Sequence, residues 1–298
     1  MCMQLVILAA GMGSRFGGLK QLEPIDDHKD FIIDYSVFDA VAAGFDKVTI
    51  IIRKENEAVF KETFGKRISS KVEVEYVFQE LDTIPDPRIP ADRKKPLGTA
   101  HAILCCKDAV KDDFMIINAD DFYGRGSYAT AAEFIRKECS ASTYGCVCYH
   151  AGNTLTEFGK VKRGVCTVKD GNVVAITESQ LQAEGSMISV QPLDGSPEFK
   201  VSPENPVSMN MFILSPSVFG YLEEGFERFL SSMKDPMKDE YLLPDIISEA
   251  VGKGKAVLRC VDTDERWFGV TYPEDKTAVV DSIRKMIASG RYPEDLWA

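Results

Sequence analysis

A glycine-rich segment with two nearby cations follows the first apolar run of the chain. Gly11 and Gly13 precede Arg15 and Lys20. Glycines permit tight turns with positive φ, and they let backbone N–H groups approach phosphate oxygens closely. Two clustered cations beside such a loop, in a chain of net charge −11, favour a phosphate-rich ligand over an ordinary strand-to-helix turn.

Two well-known phosphate-binding patterns do not fit this loop. The P-loop pattern GxxxxGK[ST] is absent from the chain. In the dinucleotide fingerprint GxGxxG, Phe16 occupies the third glycine position and Gly17 comes one residue late. The segment therefore indicates phosphate chemistry without assigning it to either class.

Acidic residues follow a second apolar run and also open a predicted helix. Asp120 and the weaker candidate Asp121 come directly after the run 114–118, and Asp245 lies at the start of the predicted helix 242–251. Carboxylate oxygens suit Mg²⁺, which bridges phosphates and screens their charge. The alternatives are an Asx-type turn for Asp120 and a carboxylate favoured by the helix dipole for Asp245.

Composition and charge exclude several classes of protein. The net charge of −11 is opposite in sign to the basic footprint of a nucleic-acid binder, so no nucleic-acid partner is expected. No stretch approaches the ~20 apolar residues that span a bilayer, and the apolar opening lacks the basic segment of a signal peptide. We expect a cytoplasmic protein with no membrane partner, and a homo-oligomer is compatible with the sequence.

The eight cysteines form no CxxC pair and have no histidine cluster near them. Cys146 and Cys148 alternate in a predicted strand, and Cys105 and Cys106 are adjacent on a predicted helix. We expect reduced, mostly buried thiols.

Strands and helices alternate in the first half of the chain. Predicted strands cover 5–8, 47–52, 72–78, 114–118 and 143–149, and predicted helices cover 34–43, 55–64 (closed by Gly65), 97–110 and 128–138. This alternation predicts a parallel, doubly wound sheet, which binds ligands at the carboxyl ends of its strands. The glycine segment and Asp120 would share that edge.

The second half follows a different pattern. Asp170-Gly171 predicts a hairpin between 161–168 and 173–177. The polar segment 180–206 predicts a flexible or capping loop, and the proline-rich segment 80–96 predicts a loop or insertion. We expect one domain over 1–298, with a nucleotide-binding half at 1–150 and an acceptor-binding half at 151–298.

The run Leu8-Ala-Ala-Gly-Met-Gly-Ser-Arg15, followed by Leu19-Lys-Gln-Leu-Glu-Pro-Ile25, resembles the signature of the sugar-phosphate nucleotidyltransferases. This family includes glucose-1-phosphate thymidylyl- and uridylyltransferases and mannose-1-phosphate guanylyltransferases. The resemblance, which extends to about Asp275, implies a Rossmann-like α/β/α sandwich of three layers with a mixed central sheet. It also implies a Mg²⁺-dependent reaction in which a nucleoside triphosphate and a sugar 1-phosphate give an NDP-sugar and pyrophosphate.

The resemblance implies a role for each residue that matches a family segment. These are, for the triphosphate, the backbone of Ala10, Gly11, Met12 and Gly13 with the catalytic cations Arg15 and Lys20; for the base, Gln79, Gly98 and Thr99; for the sugar, Gly159, Glu178 and Asn210; for the metal, Asp120 and Asp245.

The sequence departs from the family pattern at two positions. Ala119 replaces the glycine before the metal-binding aspartate. Ser179 stands where the family has a lysine that contacts the acceptor phosphate. Its substitute is left open among Lys160, Lys162, Lys234 and Lys238.

The missing lysine keeps other functions open. A cytidylyltransferase acting on phosphocholine or another small alcohol phosphate is the main alternative. A glycosyltransferase would need an Asp-x-Asp motif, where this chain has Asn118-Ala-Asp120. A regulatory protein that binds nucleotide without catalysis is the remaining alternative.

Overall fold

The structure is a computed structural model that describes residues 2–11, 19–82, 86–156, 159–269 and 275–298. The strands in these ranges are β1 (Gln4–Leu8), β2 (Lys47–Ile52), β3 (Glu73–Phe78), β4 (Phe114–Asn118), β5 (Asp121–Phe122), β6 (Thr143–His150), β7 (Val161–Lys169), β8 (Asn172–Glu184), β9 (Met187–Pro192), β10 (Phe199–Val201), β11 (Pro206–Leu214), β12 (Val257–Thr263) and β13 (Phe268–Gly269).

The helices in the same ranges are α1 (Ile32–Ala43), α2 (Glu57–Phe60), α3 (Lys66–Ile68), α4 (Thr99–Leu104), α5 (Arg125–Lys137), α6 (Val218–Ser232), α7 (Leu243–Gly252) and α8 (Asp275–Ala288). A π-helical turn, Lys61–Gly65, joins α2 to α3, and a 3₁₀ turn covers Lys20–Leu22. None of the described helices is long and apolar enough to cross a membrane.

A mixed central sheet runs through both halves of the chain. Its strand order is β10-β9-β8-β12-β6-β11-β4-β1-β2-β3, with β7 pairing β11 and β8. The neighbours β3, β2, β1 and β4 are parallel, while β11 runs antiparallel to β4 and β6. The predicted parallel first half and the mixed sheet are therefore confirmed.

Apolar clusters cover both faces of this sheet. Alternate residues of a strand point to opposite faces, so Leu5 and Ile7 join one cluster and Val6 joins the other. Helices α1, α3 and α5 pack on the first face, and α4, α6 and α7 pack on the second. The expected sandwich of three layers is confirmed.

The prediction of a loop over 180–206 is wrong. Strand β8 continues to Glu184, and β9 and β10 extend the sheet in antiparallel register. Leu181, Ile188 and Val190 are buried between more exposed neighbours. An antiparallel edge can carry polar residues on its solvent face, so its overall composition is polar even though it forms strands.

The prediction that Gly65 closes a helix is also wrong. Gly65 has helical angles of φ −58° and ψ −39°, and the helical segment continues to Ile68. A Cβ atom at Gly65 would lie 2.1 Å from the Tyr76 hydroxyl oxygen. This glycine serves close packing between the helix and β3. The predicted helix 97–110 is shorter than expected, because α4 ends at Leu104 and turns follow it.

A buried arginine holds the proline-rich segment in place. Arg93 is 1% exposed, and its guanidinium donates four hydrogen bonds of 2.6–2.9 Å to backbone carbonyls. Two acceptors, Lys95 and Pro96, lie in its own segment, and the others, Pro236 and Asp239, precede α7. This segment is therefore fixed against the approach to α7.

Candidate functional site

Parallel pairing of β1 and β4 places two polar segments side by side. Leu8 lies opposite Asn118 at the carboxyl ends of these strands, and the Ala119 N–H donates to the Leu8 carbonyl over 3.1 Å. The glycine segment and Asp120 therefore leave the sheet at the same edge. Ligands bind at this edge in open α/β sheets.

Lys20 and Asp120 form an ion pair at this edge. The Lys20 Nζ contacts the Asp120 Oδ2, and each side chain is 21% exposed. The sequence-based hypothesis requires these residues to converge, and the structure brings them together. Their catalytic and metal-binding roles remain predictions. Because both groups stay partly accessible, each can exchange its partner for a ligand.

Gln21 supports the first turn of the glycine segment and was not predicted. Its buried side chain donates from Nε2 to the carbonyl oxygens of Ala9 (3.4 Å) and Gly11 (3.2 Å). Ala10 is buried and Gly11 is exposed. The other predicted residues of this segment, Met12, Gly13 and Arg15, lie outside the described residues.

Asp121 turns into the protein, away from the edge where Asp120 meets Lys20. Its Oδ2 accepts hydrogen bonds from the Asn118 amide (2.8 Å) and the Tyr123 hydroxyl (3.3 Å). Burial raises the pKa of Asp121, and the adjacent Asp120 carboxylate raises it further. The arrangement makes Asp121 a support for the edge and leaves Asp120 as the accessible carboxylate.

Gln79 and Gly98 lie together although the proline-rich segment separates them in sequence. The Gln79 Nε2 donates to the Gly98 carbonyl over 2.9 Å and lies 3.3 Å from the His101 Nδ1. His101 stacks on Phe226, and burial lowers the pKa of His101 to about 4. A neutral imidazole therefore packs behind the two residues predicted to read the base.

The Gly98 segment is bonded to the start of α7. Gly98 has φ +102°, and a Cβ atom there would lie 2.5 Å from the Tyr241 carbonyl oxygen. The Thr99 hydroxyl accepts a hydrogen bond from the Leu243 N–H over 3.0 Å. These contacts join the predicted base-binding residues to the helix whose first turn carries Asp245.

Two carboxylates on the acceptor side, Asp245 and Glu178, have raised pKa values. Asp245 is exposed as a residue, although partial burial of its carboxyl group raises its pKa. Glu178 is also exposed as a residue, but partial burial of its own carboxylate raises its pKa. The charge of Asp245 raises the pKa of Glu178 further. Within the described ranges, neither carboxylate forms an ion pair with a cation. Two carboxylates without a cation partner favour the binding of a cation or of a ligand with hydrogen-bond donors.

Glu178 lies over a glycine that the sequence did not single out. Gly164 is its partner in the β7–β8 register, and a Cβ atom at Gly164 would lie 3.2 Å from the Glu178 Oε1. Lys162, two residues earlier on the same strand face, counteracts the rise in the pKa of Glu178. Of the four lysine candidates, Lys160 instead bonds Gln191 over 3.1 Å.

Arg163 is a functional candidate that sequence reasoning missed. It pairs with the fully buried Ser179 across the β7–β8 ladder and is itself only 9% exposed. The guanidinium donates to the Thr154 and Lys162 carbonyls and lies 4.3 Å from the Trp267 ring centroid. Burial lowers the pKa of Arg163 to about 10, so it stays charged. The sequence offered one signal for this role, which is an arginine within a predicted strand whose neighbouring residues are buried.

Asn210 and Gly159 occupy irregular backbone. Asn210 has φ +61° where the β11–β6 register shifts between Ser208 and Phe212. Positive φ at a non-glycine residue often marks a functional position. The neighbouring Met209 carbonyl accepts the Tyr123 hydroxyl over 3.0 Å, which links this bulge to Asp121. Gly159 has φ +120°, and no atom of the other described residues lies within 4 Å of its Cβ position.

The predicted residues fall into two groups. One contains Lys20 and Asp120 at the β1–β4 edge, and the other contains Asp245 and Glu178 near Gly98. Arg163 lies between Asp121, the neighbour of Asp120, and Glu178 in its electrostatic effect, because its charge lowers the pKa of both. No hydrogen bond or ion pair within the described ranges joins Asp120 to Asp245.

Comparison with known sequences gives one consistent picture. The sequence model of the family described as nucleotidyl transferase matches residues 4–280. A low-salt glycan biosynthesis nucleotidyltransferase of Haloferax volcanii is 25% identical over 281 residues, which cover 92% of this chain and 64% of the relative. A UTP–glucose-1-phosphate uridylyltransferase of Bacillus subtilis is 23% identical over 236 residues, which cover 74% of this chain and 73% of that protein. The chain thus spans about two thirds of the Haloferax protein's length.

Solved structures share the fold. An inositol-1-phosphate CTP transferase from T. maritima superposes with a TM-score of 0.61 at 13% identity, covering 95% of this chain and 96% of that chain. A UDP-glucose pyrophosphorylase complexed with UDP-glucose gives 0.58 at 16% identity, covering 96% and 99%.

Proposed function

Because the chain belongs to the nucleotidyl transferase family, we propose that it joins a nucleoside triphosphate to a sugar 1-phosphate, giving an NDP-sugar and pyrophosphate. The observation that carries the proposal is the Lys20–Asp120 pair, which lies where the glycine segment leaves the sheet. The uridylyltransferase relative supports a sugar 1-phosphate as acceptor.

An oxygen of the acceptor phosphate attacks the α-phosphorus in line, and the bond to the pyrophosphate leaving group breaks. The attacking phosphate is already anionic, so no protein base is needed. Catalysis of this kind depends on positioning and on stabilising charge. Lys20 exchanges Asp120 for the α-phosphate, and Arg15 holds the β- and γ-phosphates in this proposal.

The two predicted metal ligands suit Mg²⁺ by their chemistry. Both are carboxylates, Asp120 is accessible, and Asp245 has no cation partner within the described residues. Oxygen ligands of this kind are those that Mg²⁺ prefers. When bound, the ion would be held by Asp120 and Asp245 and would screen the negative charge of the phosphates.

Glu178 and Asn210 are proposed to bind the sugar hydroxyls, with Gly159 beside them. Among the four lysine candidates, Lys162 is proposed to replace the missing family lysine. Its charge lowers the pKa of the Glu178 carboxylate, so it lies close to the proposed sugar-binding residue. We also propose that 1–298 is one domain, with a nucleotide half and an acceptor half. The continuous sheet that crosses both halves supports this division within a single unit.

A second candidate keeps the chemistry and changes the acceptor to a small alcohol phosphate. Ser179, which stands at the position of the family lysine, favours this candidate because it is fully buried. A lysine side chain at this position would have to be buried as well. The fold that this chain shares with an inositol-1-phosphate CTP transferase supports this second candidate.

The test is a matrix of triphosphates against acceptors with pyrophosphate release as the readout. UTP, dTTP, GTP and CTP are each combined with sugar 1-phosphates, inositol 1-phosphate and phosphocholine, with and without EDTA. Release that requires both substrates and a divalent cation supports the proposal. Nucleotide binding without release in any combination would instead indicate a regulatory protein.

A further inference from the structure

Cysteines far apart in sequence converge in the core beside the acceptor strands. Cys146 and Cys148 lie on one face of β6, and Cys166 lies on β7. All three are buried, and their Sγ atoms lie within 4.8 Å of one another. Across the described ranges, no other three or more Cys, His, Asp or Glu side chains bring their ligand atoms so close together.

A fourth cysteine lies beside this group on the neighbouring strand. Cys260 of β12 lies directly opposite Cys146 in parallel register, so both side chains point to the same face of the sheet. Cys260 therefore lies on the strand next to Cys146 and on the sheet face that carries the other three sulfurs.

Three converging sulfurs, with a fourth on the same face of the sheet, suit a known class of metal site. Structural zinc sites hold the ion tetrahedrally at a Zn–S distance of about 2.3 Å, which places the sulfurs about 3.8 Å apart. The Sγ atoms of Cys146, Cys148 and Cys166 lie within 4.8 Å of one another, which exceeds that value by no more than about 1 Å. We propose that Cys146, Cys148, Cys166 and Cys260 form a binding site for one thiophilic d¹⁰ cation of the Zn²⁺ type.

This site differs from the proposed Mg²⁺ site in its ligands and its place. Soft sulfur ligands select zinc-like cations, whereas carboxylates select Mg²⁺. Binding exchanges protons for the ion, since one divalent cation and four thiols give a tetrathiolate and up to four released protons. No oxidant or reductant takes part.

The site lies beneath the proposed acceptor residues. Cys148 pairs with Ser208, which precedes the Asn210 bulge, and Cys166 follows Gly164 by two residues. An ion held here would tie β6, β7 and β12 together. We therefore expect the bound ion to raise the thermal midpoint of the protein by several degrees.

A Co²⁺ titration of the full chain, purified with a reductant and stripped with a chelator, tests the site. The expected result is one Co²⁺ per chain, with thiolate-to-metal charge transfer in the near ultraviolet and the visible bands of a tetrahedral site. Zn²⁺ should then displace the colour. Absence of these bands in the reduced wild-type protein, or bands typical only of oxygen ligands, would overturn the proposal.

Paired variants separate this site from other cysteines. Cys148→Ala should lose the charge-transfer bands, whereas Cys106→Ala, an equally buried cysteine outside the group, should keep them. Asp120→Ala should also keep the bands, because Asp120 pairs with Lys20 and is not one of the cysteine ligands. Unchanged bands in Cys148→Ala would refute the assignment. If that variant does not fold, the wild-type titration still decides the question.

Discussion

The nucleotide side and the acceptor side of the candidate site differ in how their charged groups are paired. On the nucleotide side, Lys20 pairs with Asp120, and Gln79 is bonded to the Gly98 carbonyl. On the acceptor side, burial raises the pKa of both Glu178 and Asp245, and the Asp245 charge raises that of Glu178 further. Neither carboxylate has an ion-pair partner within the described ranges. The first side is preformed by its own groups, whereas the second is completed by what binds there.

The largest expected effect comes from breaking the preformed pair. Lys20→Ala and Asp120→Ala should each lower kcat by about 10²-fold or more, judged by losses at comparable charge-stabilising positions. Steady-state pyrophosphate release measures this. Lys47→Ala is the control. Lys47 lies at the start of β2 and pairs with Glu73 and Glu75 of β3, so its loss should leave kcat nearly unchanged.

The next effect contrasts two glycines that share positive φ. Gly98→Ala would press a Cβ atom against the Tyr241 backbone, while the new Cβ atom of Gly159→Ala would meet none of the described residues within 4 Å. Gly98→Ala should lower the free energy of unfolding by about 2–3 kcal/mol and Gly159→Ala by about 1 kcal/mol. Urea unfolding measures both. Equal losses would show that the nucleotide side is no more tightly built than the acceptor side.

A smaller effect is expected at the unpaired carboxylate Asp245. Asp245→Asn should lower kcat about tenfold under saturating substrates, since one charged ligand of the proposed ion is lost. Exposed Asp108→Asn is the matched control and should keep its activity.

The same variant makes a pH prediction for stability. The pKa of Asp245 is raised in the folded state, so the stability that its protonated form contributes is present below the unfolded value of about 3.9 and is lost as pH rises through the folded value. Asparagine stays neutral. In EDTA at pH 8, Asp245→Asn should therefore melt above the wild type, and this gap should close near pH 3.5. A gap that is independent of pH would contradict the assigned burial of the charge.

The nucleotide side was largely predictable because its signals are local in sequence. A buried run leads directly into the glycines and Lys20, and another leads into Asp120, so parallel pairing alone brings them together. The acceptor side was not predictable in this way. Its strands over 180–206 expose polar residues on one face, which hides them in the composition.

Features that depend on side chains from distant strands were also missed. Arg163 and Gly164 gain their meaning only when β7 pairs with β8. Cys260 joins Cys146 through the parallel register of β12 and β6. Gly65 was misjudged because its neighbour Tyr76 lies on another element. Local patterns carry no information on such contacts.

A double-mutant cycle on pyrophosphate release tests the central claim most directly. If Lys20 and Asp120 serve one catalytic centre, Lys20→Ala with Asp120→Ala should lose little more turnover than the worse single variant. Near wild-type turnover in either single variant, or losses that simply multiply in the double variant, would contradict a shared centre.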